Sequence, residues 1–507
     1  MSWTVRSYAT GAASASRQLK LGAVCWRKLR FSLALALVLF ALTALGHHRA
    51  FARELLQTQP SGAASAVPAI PLTLADALEM ARRNFPSIKE SLYRSEAAQL
   101  KVRLEKTSYL PRGSMLVQEM RGTSNQTTGP LLPNSTFPPI SGAEVGGNDL
   151  TGGWGCATGA FLTWEPFDFG LRAANVAAAQ AESRQSSFQA DVSELEAEVG
   201  AAEAFLRASA AQEALRASQA LLERMAMLKD TVRVLFDKHL RSNTDVFMAQ
   251  AEEARAKDQV IEAEQALDLA SCDLCGAIGL PGPTIRIESS PLLEFTPESG
   301  QLSGNVESHP VFLVQASASQ AAANRKKAIE KSYYPRVNLI AAIYGRGSSF
   351  KSDVSINEAK GFYPTRVNYA AGFNITFPFL DIFELKARRL AASKIELAER
   401  AQLALTGLKL STDNQRAEAL MKGALKLAEN APVKVEAARQ AANSARVRYQ
   451  IGLSSINDVA LDEQLLKQAE VEQSTARLRV WRAFLAQAAA KGNIELFLLE
   501  IKKTEKH

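Results

Sequence analysis

Side chains that carry out enzymatic chemistry are few and scattered in this chain. Beyond residue 52 the histidines are His239, His309 and His507, which fall in different predicted elements. Neither a histidine-rich metal site nor a Ser-His-Asp triad is easily assembled from residues so far apart. The sequence also contains no Gly-Lys-Ser/Thr phosphate loop and no paired-glycine dinucleotide fingerprint. We therefore predict no catalytic residues, no cofactor and no metal site.

The most suggestive thiol motif is Cys272-Asp273-Leu274-Cys275, near a predicted helix end. Two thiols without a second pair are a weak zinc signal, and a redox role would need a βαβ context that is missing here. We expect both cysteines to be small packing residues. Four cysteines in 507 residues also exclude a disulfide scaffold.

The formal net charge of +7 comes entirely from the N-terminal end. Residues 1–52 hold seven Lys or Arg and no Asp or Glu, and the remainder holds 52 basic and 52 acidic residues. Because residues 53–507 are neutral overall, the mature chain lacks the basic surface that attracts phosphate backbones. We therefore predict no nucleic-acid partner.

The same N-terminal end has the layout of a secretory signal peptide. Three basic residues between 27 and 30 precede the uncharged apolar run 31–45, and Ala50-Phe51-Ala52 supplies a small-x-small cleavage pattern. We predict that residues 1–52 are a signal peptide with a long basic extension. An uncleaved anchor helix and an organellar transit peptide are the alternatives. No later stretch reaches 18 apolar residues, so we expect no helical membrane span in the mature chain.

The rest of the chain is an internal duplication, because four landmarks recur in the same order. The predicted repeats are residues 53–280 and 306–492, with a linker at 281–305 and a tail at 493–507. The offset between the copies is 224 residues at the first two landmarks and 213 at the last. The landmark pairs are Asn84-Phe85-Pro86 with Ser308-His309-Pro310, Ser108–Arg112 with Ser332–Arg336, Pro166-Phe167-Asp168 with Pro378–Asp381, and Phe236–Val246 with Tyr449–Val459.

Each repeat contains one unusually long helical stretch. The first, about 169–238, has no proline and no turn cluster, and would be ~100 Å long. The second, about 383–449, is interrupted by Pro432, where we expect a kink or a break. Shorter helices at about 86–109 and 246–279 together match the first long helix, so we expect them to stack end to end beside it.

Short strands precede each long helix. Residues 367–377 alternate strictly between large apolar and small or polar residues, and 337–343 repeat the pattern. Strands at about 113–122 and 157–167 are less regular. Eleven residues suit a tilted strand that crosses a bilayer, although a soluble hairpin with one buried face is the alternative. Because lipid does not tolerate open sheet edges, four strands would have to be completed by other copies of the chain.

The duplicated order and these landmarks resemble the TolC-like family of outer-membrane efflux ducts over roughly residues 70–492. The fold class implied is mainly helical with a small β-barrel contribution. The resemblance implies a homotrimer, with a shared twelve-stranded barrel in outer-membrane lipid and a twelve-helix tunnel in the periplasm. It also implies a periplasmic adaptor, an inner-membrane pump or ABC exporter, and cargo such as drugs, metals or secreted proteins.

The resemblance also suggests which residues act. Gly452, Leu453 and Ser454 match the helix-tip segment that docks the adaptor, and His239, Leu240 and Arg241 occupy the other tip. The family pattern favours Gly where His239 stands, which leaves the turn and the docking mode of that tip open.

Acidic residues follow both tips. In the resemblance, Asp458 matches an inward-facing acidic residue near the closed entrance. Asp245 matches the counterpart of that residue in the first repeat, which acts as a constraint rather than as a pore-lining residue. Three copies of Asp458 would form a cation-attracting constriction with a raised pKa, and Asp462, one turn on, a second ring. The alternative is that Asp245 and Asp458 cap helices. The alternative for the whole protein is a coiled-coil structural or adaptor protein of the envelope without a channel.

Overall fold

A computed structural model describes residues 71–123, 150, 152–280, 286–288, 292–293, 297, 305–349 and 357–504. The predicted signal peptide at 1–52 lies outside the described residues. Most of the predicted linker at 281–305 and the last three residues of the predicted tail lie outside them as well.

The described elements follow the predicted duplication. The first repeat contains α2 (Pro86–Thr107), β2 (Arg112–Thr123), β3 (Gly152–Phe167), α3 (Leu171–Asp237) and α4 (Asn243–Ala277). It is preceded by β1 (Pro71–Leu72) and α1 (Leu74–Asn84), and β4 (Arg286–Ile287) pairs with β1 in parallel. The second repeat contains α5 (Pro310–Lys331), β5 (Arg336–Ser348), α6 (Glu358–Gly361), β6 (Arg366–Thr376), α7 (Ile382–Gln450) and α8 (Ile456–Ala490). The C-terminal α9 is Glu495–Thr504.

The two long helices, α3 and α7, have 67 and 69 residues, and α4 and α8 have 35 each. We expected a kink or a break at Pro432. α7 is continuous through that residue, so the helix does not break there. A proline inside a helix costs about 3 kcal/mol. Packing just after the proline offsets this cost: Val435 lies in a buried cluster with Ala438 and Ala442 of α7 and Leu466 and Ala469 of α8.

The helices lie side by side along the long ones. α3 contacts α2, α4, α5 and α8, and α7 contacts α5 and α8. Lys101 of α2 reaches Glu182 near the start of α3 at 2.8 Å, whereas Glu253 of α4 reaches Lys229 near its end at 2.7 Å. The shorter helices α2 and α4 therefore pair with successive parts of α3, as predicted. No helix among the described residues is both long enough and apolar enough to span a bilayer.

The largest core lies midway along the bundle. Trp481 is fully buried, contacts the rings of Phe484 and Phe497, and donates its indole N–H to the Leu292 carbonyl at 3.1 Å. Phe205 and Leu206 of α3 and Leu74 and Leu78 of α1 complete the same cluster. Burial of each such side chain contributes about 1.5–3 kcal/mol. This core ties both repeats to the N-terminal and C-terminal helices.

The four strands form one antiparallel sheet in the order β2-β3-β5-β6. The β3–β5 pairing joins the two repeats, and a register shift lies between Trp164 and Phe167. β3 starts at Gly152, earlier than predicted, because its glycine-rich beginning pairs with the end of β2. Glycine is required at Gly159, where an added Cβ would lie 2.7 Å from the Cβ of Tyr344. The outer edges of β2 and β6 have no partner strand within the described chain.

Candidate functional site

The turns at the far end of the helical bundle are built alike. The chain reverses between α3 and α4 and again between α7 and α8, each time after a residue with positive φ: 59° at His239 and 88° at Gly452. The next amide donates back to a carbonyl of the preceding helix, from Leu240 to Leu235 at 2.9 Å and from Leu453 to Arg448 at 2.8 Å. Both are Schellman-type helix ends, in which a left-handed residue satisfies carbonyls that the helix leaves free.

His239 therefore adopts the left-handed conformation although it is not a glycine. A non-glycine residue in the left-handed region costs roughly 1–2 kcal/mol, because its Cβ crowds the following carbonyl oxygen. The offset of 213 residues places His239 opposite Gly452, where no atom lies within 4 Å of an added Cβ. The two turns share a backbone path, and only the first one carries this strain.

Serines, rather than the aspartates, are the N-cap residues of α4 and α8. The Asp245 and Asp458 amides each donate to the hydroxyl of the serine three residues earlier, Ser242 or Ser455, at 3.3 Å. In α8 the Ser455 amide also donates to Oδ2 of Asp458 at 2.9 Å, which completes a capping box. These bonds to Ser455 lower the pKa of Asp458 below its ordinary value in the single chain. The raised pKa that we predict for Asp458 would arise from repulsion among three copies of its carboxylate in a ring.

Asp458 and Asp462 lie on one exposed stripe of α8. Asp458 is exposed and Asp462 is half-buried, and Leu461 and Leu465 on the same stripe are 70% and 50% exposed. Residues spaced by three and four share one helix face. We call this set, Asp458, Leu461, Asp462 and Leu465, the acidic stripe. Asp245 lies apart from it on α4, beside Tyr449.

Arg241 binds the two tips together. Its guanidinium lies 4.2 Å from the centroid of the Tyr449 ring and donates to the Tyr449 carbonyl. Tyr449 is buried in a cluster with Val246 of α4, Ile456 of α8 and their neighbours. Burial raises the pKa of Tyr449, and the negative charge of Asp245 raises it further. Sequence reasoning missed Tyr449, although it occupies the position of Phe236 in the repeat.

A buried carboxylate lies within the same turns of α8 as the acidic stripe, on a different face of the helix. Oε2 of Glu463 is 2.8 Å from Nε of Arg224 on α3, and Oε1 contacts the guanidinium of Arg446 on α7. Glu463 is fully buried, so two cations on two other helices compensate its charge. Sequence reasoning missed this cluster. The available signal was an acidic residue between Ala460 and Leu466 on the apolar seam of α8.

The sheet has one strongly apolar face. On β6 the odd-numbered side chains are large and exposed, with Tyr369 at 86% and Phe373 at 70%. The register places Leu339 of β5 opposite Phe373, and Ile343 opposite Tyr369, on the same face. The even-numbered side chains point the other way, and most are polar or small: Asn338, Asn368, Asn374 and Thr376. An exposed apolar band of this kind is typical of contact with lipid.

Residues that often bind metals do not converge in the part of the chain that the structure describes. It contains no group of three or more His, Cys, Asp or Glu side chains that would hold an ion. Cys156, Cys272 and Cys275 are free thiols. Cys275 is buried, and burial raises the pKa of its thiol. His309 caps α5, where its Nδ1 accepts from the Val311 amide at 3.2 Å.

The sequence pattern named outer membrane efflux protein matches residues 77–280 and 306–493. No curated protein sequence is significantly similar to the chain. Among solved structures, CusC superposes with a TM-score of 0.70 at 12% identity, covering 86% of this chain and 96% of CusC. VceC of Vibrio cholerae gives a TM-score of 0.66 at 18% identity, covering 83% of this chain and 96% of VceC. The MtrE channel of Neisseria gonorrhoeae, in its open state, gives a TM-score of 0.66 at 18% identity, covering 86% of this chain and 94% of MtrE.

The two tip turns should respond in opposite ways to substitution. His239→Gly should stabilise the first turn by about 1 kcal/mol, because glycine adopts positive φ without a Cβ clash. Gly452→Ala should destabilise the second by a similar amount. Amide hydrogen exchange of Leu240 and Leu453 would measure local opening at each turn. Slower exchange of Leu453 in Gly452→Ala would contradict the assignment of strain.

Proposed function

The chain belongs to the outer membrane efflux protein family, and from this premise we propose that three copies form one duct that works with a periplasmic adaptor and an inner-membrane pump or ABC exporter. The protein is an outer-membrane efflux channel with a helical extension into the periplasm, and not an enzyme. This assignment decides against the alternative of an envelope coiled-coil protein without a channel.

The open sheet is the observation that supports assembly. One chain supplies four strands, and β2 and β6 leave their outer backbone groups unpaired beside an apolar face. In lipid each such group costs several kcal/mol unless another strand pairs with it. Three copies supply twelve strands and remove every edge. We also propose that the mature chain begins after Ala52 and contains the repeats at 53–280 and 306–492.

The duplication specifies how neighbouring copies pair. Within the chain the second strand of one repeat, β3, pairs with the first strand of the other, β5. The equivalent pair between copies is β6 with β2 of the next copy. Leu162 lies opposite Ala341 in the chain. The repeat offset of 213 relates Leu162 to Ile375, and the offset of 224 relates Ala341 to Val117. The equivalent pair between copies is therefore Ile375 opposite Val117 of the neighbour, with both side chains on the apolar face.

Paired cysteines would test this register. In a background without the native cysteines, Ile375→Cys with Val117→Cys should give a covalent three-chain species on oxidation, because opposed side chains have Cβ atoms about 4.5–5.5 Å apart. Denaturing electrophoresis would resolve it. The control is Ile375→Cys with Gln118→Cys, in which Gln118 lies on the other face and should not cross-link. Equal cross-linking of both pairs, or of neither, would refute the pairing.

The tips are the proposed adaptor-docking surface. Leu240 and Leu453 are 66% and 73% exposed, and His239, Gly452 and Ser454 surround them. Apolar side chains this exposed at helix ends suit contact with the hairpin of another protein. Arg241 belongs to the same surface by sequence, but its guanidinium is already engaged with Tyr449.

Leu453→Asp should disrupt docking without disturbing the turn, because Leu453 lacks the positive φ of Gly452. Photo-cross-linking between the tip and the adaptor in the host envelope should fall about tenfold or more, while the trimer persists. Leu269→Asp is the matched control, since Leu269 is 61% exposed on α4, about 40 Å from the tip. Unchanged cross-linking of the Leu453 variant would remove the tip from the docking surface.

We assign the entrance constriction to the acidic stripe. Three copies of Asp458 around one axis would repel one another and attract cations, and Asp462 would form a second ring one turn away. The Ser455 amide bonds only Oδ2 of Asp458, so the capping box is compatible with a carboxylate that also faces the axis. Asp245 is assigned a constraining role, because it lies beside Tyr449 and Arg241 rather than on the stripe.

Asp458→Asn removes the charge and keeps an acceptor for the Ser455 amide. In planar bilayers it should raise single-channel conductance and weaken block by a multivalent cation about tenfold, since a charged cleft concentrates counter-ions by that order. Asp268→Asn, on the exposed surface of α4, should leave both unchanged. Unaltered conductance and unaltered block in Asp458→Asn would reject the ring.

A further inference from the structure

The polar face of the sheet carries arginines at its outer end. This inference rests on the proposed trimeric barrel, in which the apolar face meets lipid and the even-numbered residues of β5 and β6 face the lumen. Arg346 and Arg366 belong to the lumen face, and no acidic residue does on these two described strands. Both arginines lie at the end where β5 and β6 connect, which is the end remote from the helices and therefore the external mouth.

The two arginines are directly paired across the strands. Arg346 lies opposite Arg366 in the last pair of the ladder, and both side chains are exposed. Like charges that lie directly opposite each other in a sheet are destabilising. Among the described residues neither arginine has an acidic partner within ion-pair distance.

The fold does not require arginine at these positions. The offsets of the repeat, 224 residues for Arg346 and 213 for Arg366, lead to Gly122 and Gly153 in the first hairpin. These two glycines are also directly opposed. The same place in the same sheet is therefore bare in one repeat and doubly charged in the other. This contrast points to a solute rather than to packing.

Residues 357–365, which precede β6, pack on the opposite face and do not cover the arginines. An added Cβ at Gly345 would lie 2.8 Å from Cβ of Pro364, and one at Gly347 would meet the backbone of Tyr363. Odd-numbered residues of β5 point to the apolar face, so the segment with α6 folds over that side. Arg346, between these two glycines, points to the lumen.

We propose that Arg346 and Arg366 form an anion-attracting ring at the external mouth, and that the channel exports organic anions with carboxylate or phosphate groups. Three copies place six guanidiniums around the opening, alternating with glycine pairs that leave room for a solute. Guanidinium groups bind both oxygens of a carboxylate or phosphate at once. The next pair inward on the same face, Tyr344 with Asn368, adds a ring and an amide beside them.

Block of single channels by an anion added to one side of the bilayer tests this proposal. The helical body cannot cross a bilayer, so the full-length trimer inserts barrel first, with its external mouth in the far compartment. Inorganic hexametaphosphate added there should block the current, and Arg346→Gln with Arg366→Gln should need about tenfold more of it. Arg346→Lys with Arg366→Lys keeps the charge and should keep most of the block. Arg121→Gln is the control at the same height, because Arg121 lies on the apolar face against Trp154.

The outcomes separate the proposal from its premise. Equal block of wild-type and the double glutamine variant would overturn the ring, as would equal loss of block in Arg121→Gln. If wild-type protein yields no trimer and no conductance, the proposed duct itself fails, and the ring fails with it. Block restricted to the external side, weakened only in the double glutamine variant, would support the assignment.

Discussion

An unfinished sheet with an apolar face is the constraint on which the rest of the structure depends. The strands β2 and β6 carry backbone donors and acceptors along free edges, and their exposed side chains include Met115, Val117, Tyr369 and Phe373. Water would satisfy the backbone groups but not the apolar side chains, whereas lipid would do the reverse. Only pairing between copies within lipid satisfies both. Two strands per repeat and two repeats per chain therefore imply a closed assembly.

In the proposed assembly the helices would continue this closure into the periplasm without a change of partner. The β3–β5 pairing brings α3, which follows β3, beside α5, which precedes β5, and these two helices pack together. Their seam is rich in alanine, including Ala174, Ala178 and Ala181 of α3 and Ala321 of α5. Small side chains allow the close approach that helices need when they lie side by side in a wall. By the same logic α7 should meet α2 of the next copy, where Leu92, Leu100 and Leu104 are exposed.

Sequence alone predicted the elements well, because periodicity and duplication act over many residues. The limits of α3, α4, β5 and β6 fall within a few residues of the predictions. The structure departs from local rules at two places, where other contacts outweigh the rule. The helix continues through Pro432 because Val435 and its neighbours are buried against α8. Likewise, the hydrogen bond from Leu240 to Leu235 accompanies a left-handed His239.

The candidate site was predicted in position but not in its connections. The family resemblance assigned roles to Gly452, Leu453 and Asp458, yet nothing in the sequence indicated that Arg241 would cross to Tyr449. Nor did it indicate that Arg224, Glu463 and Arg446 would join three helices. Such contacts depend on which faces of distant segments meet, and a single sequence does not encode that in any local pattern. Only part of the charge proposed to line the channel is shared by both repeats. Asp458 has its counterpart in Asp245, whereas Arg346 and Arg366 correspond to Gly122 and Gly153 and occur in the second repeat alone. Charge that one repeat has and its counterpart lacks is not needed for folding, so it is the part of the sequence in which selection for cargo would act.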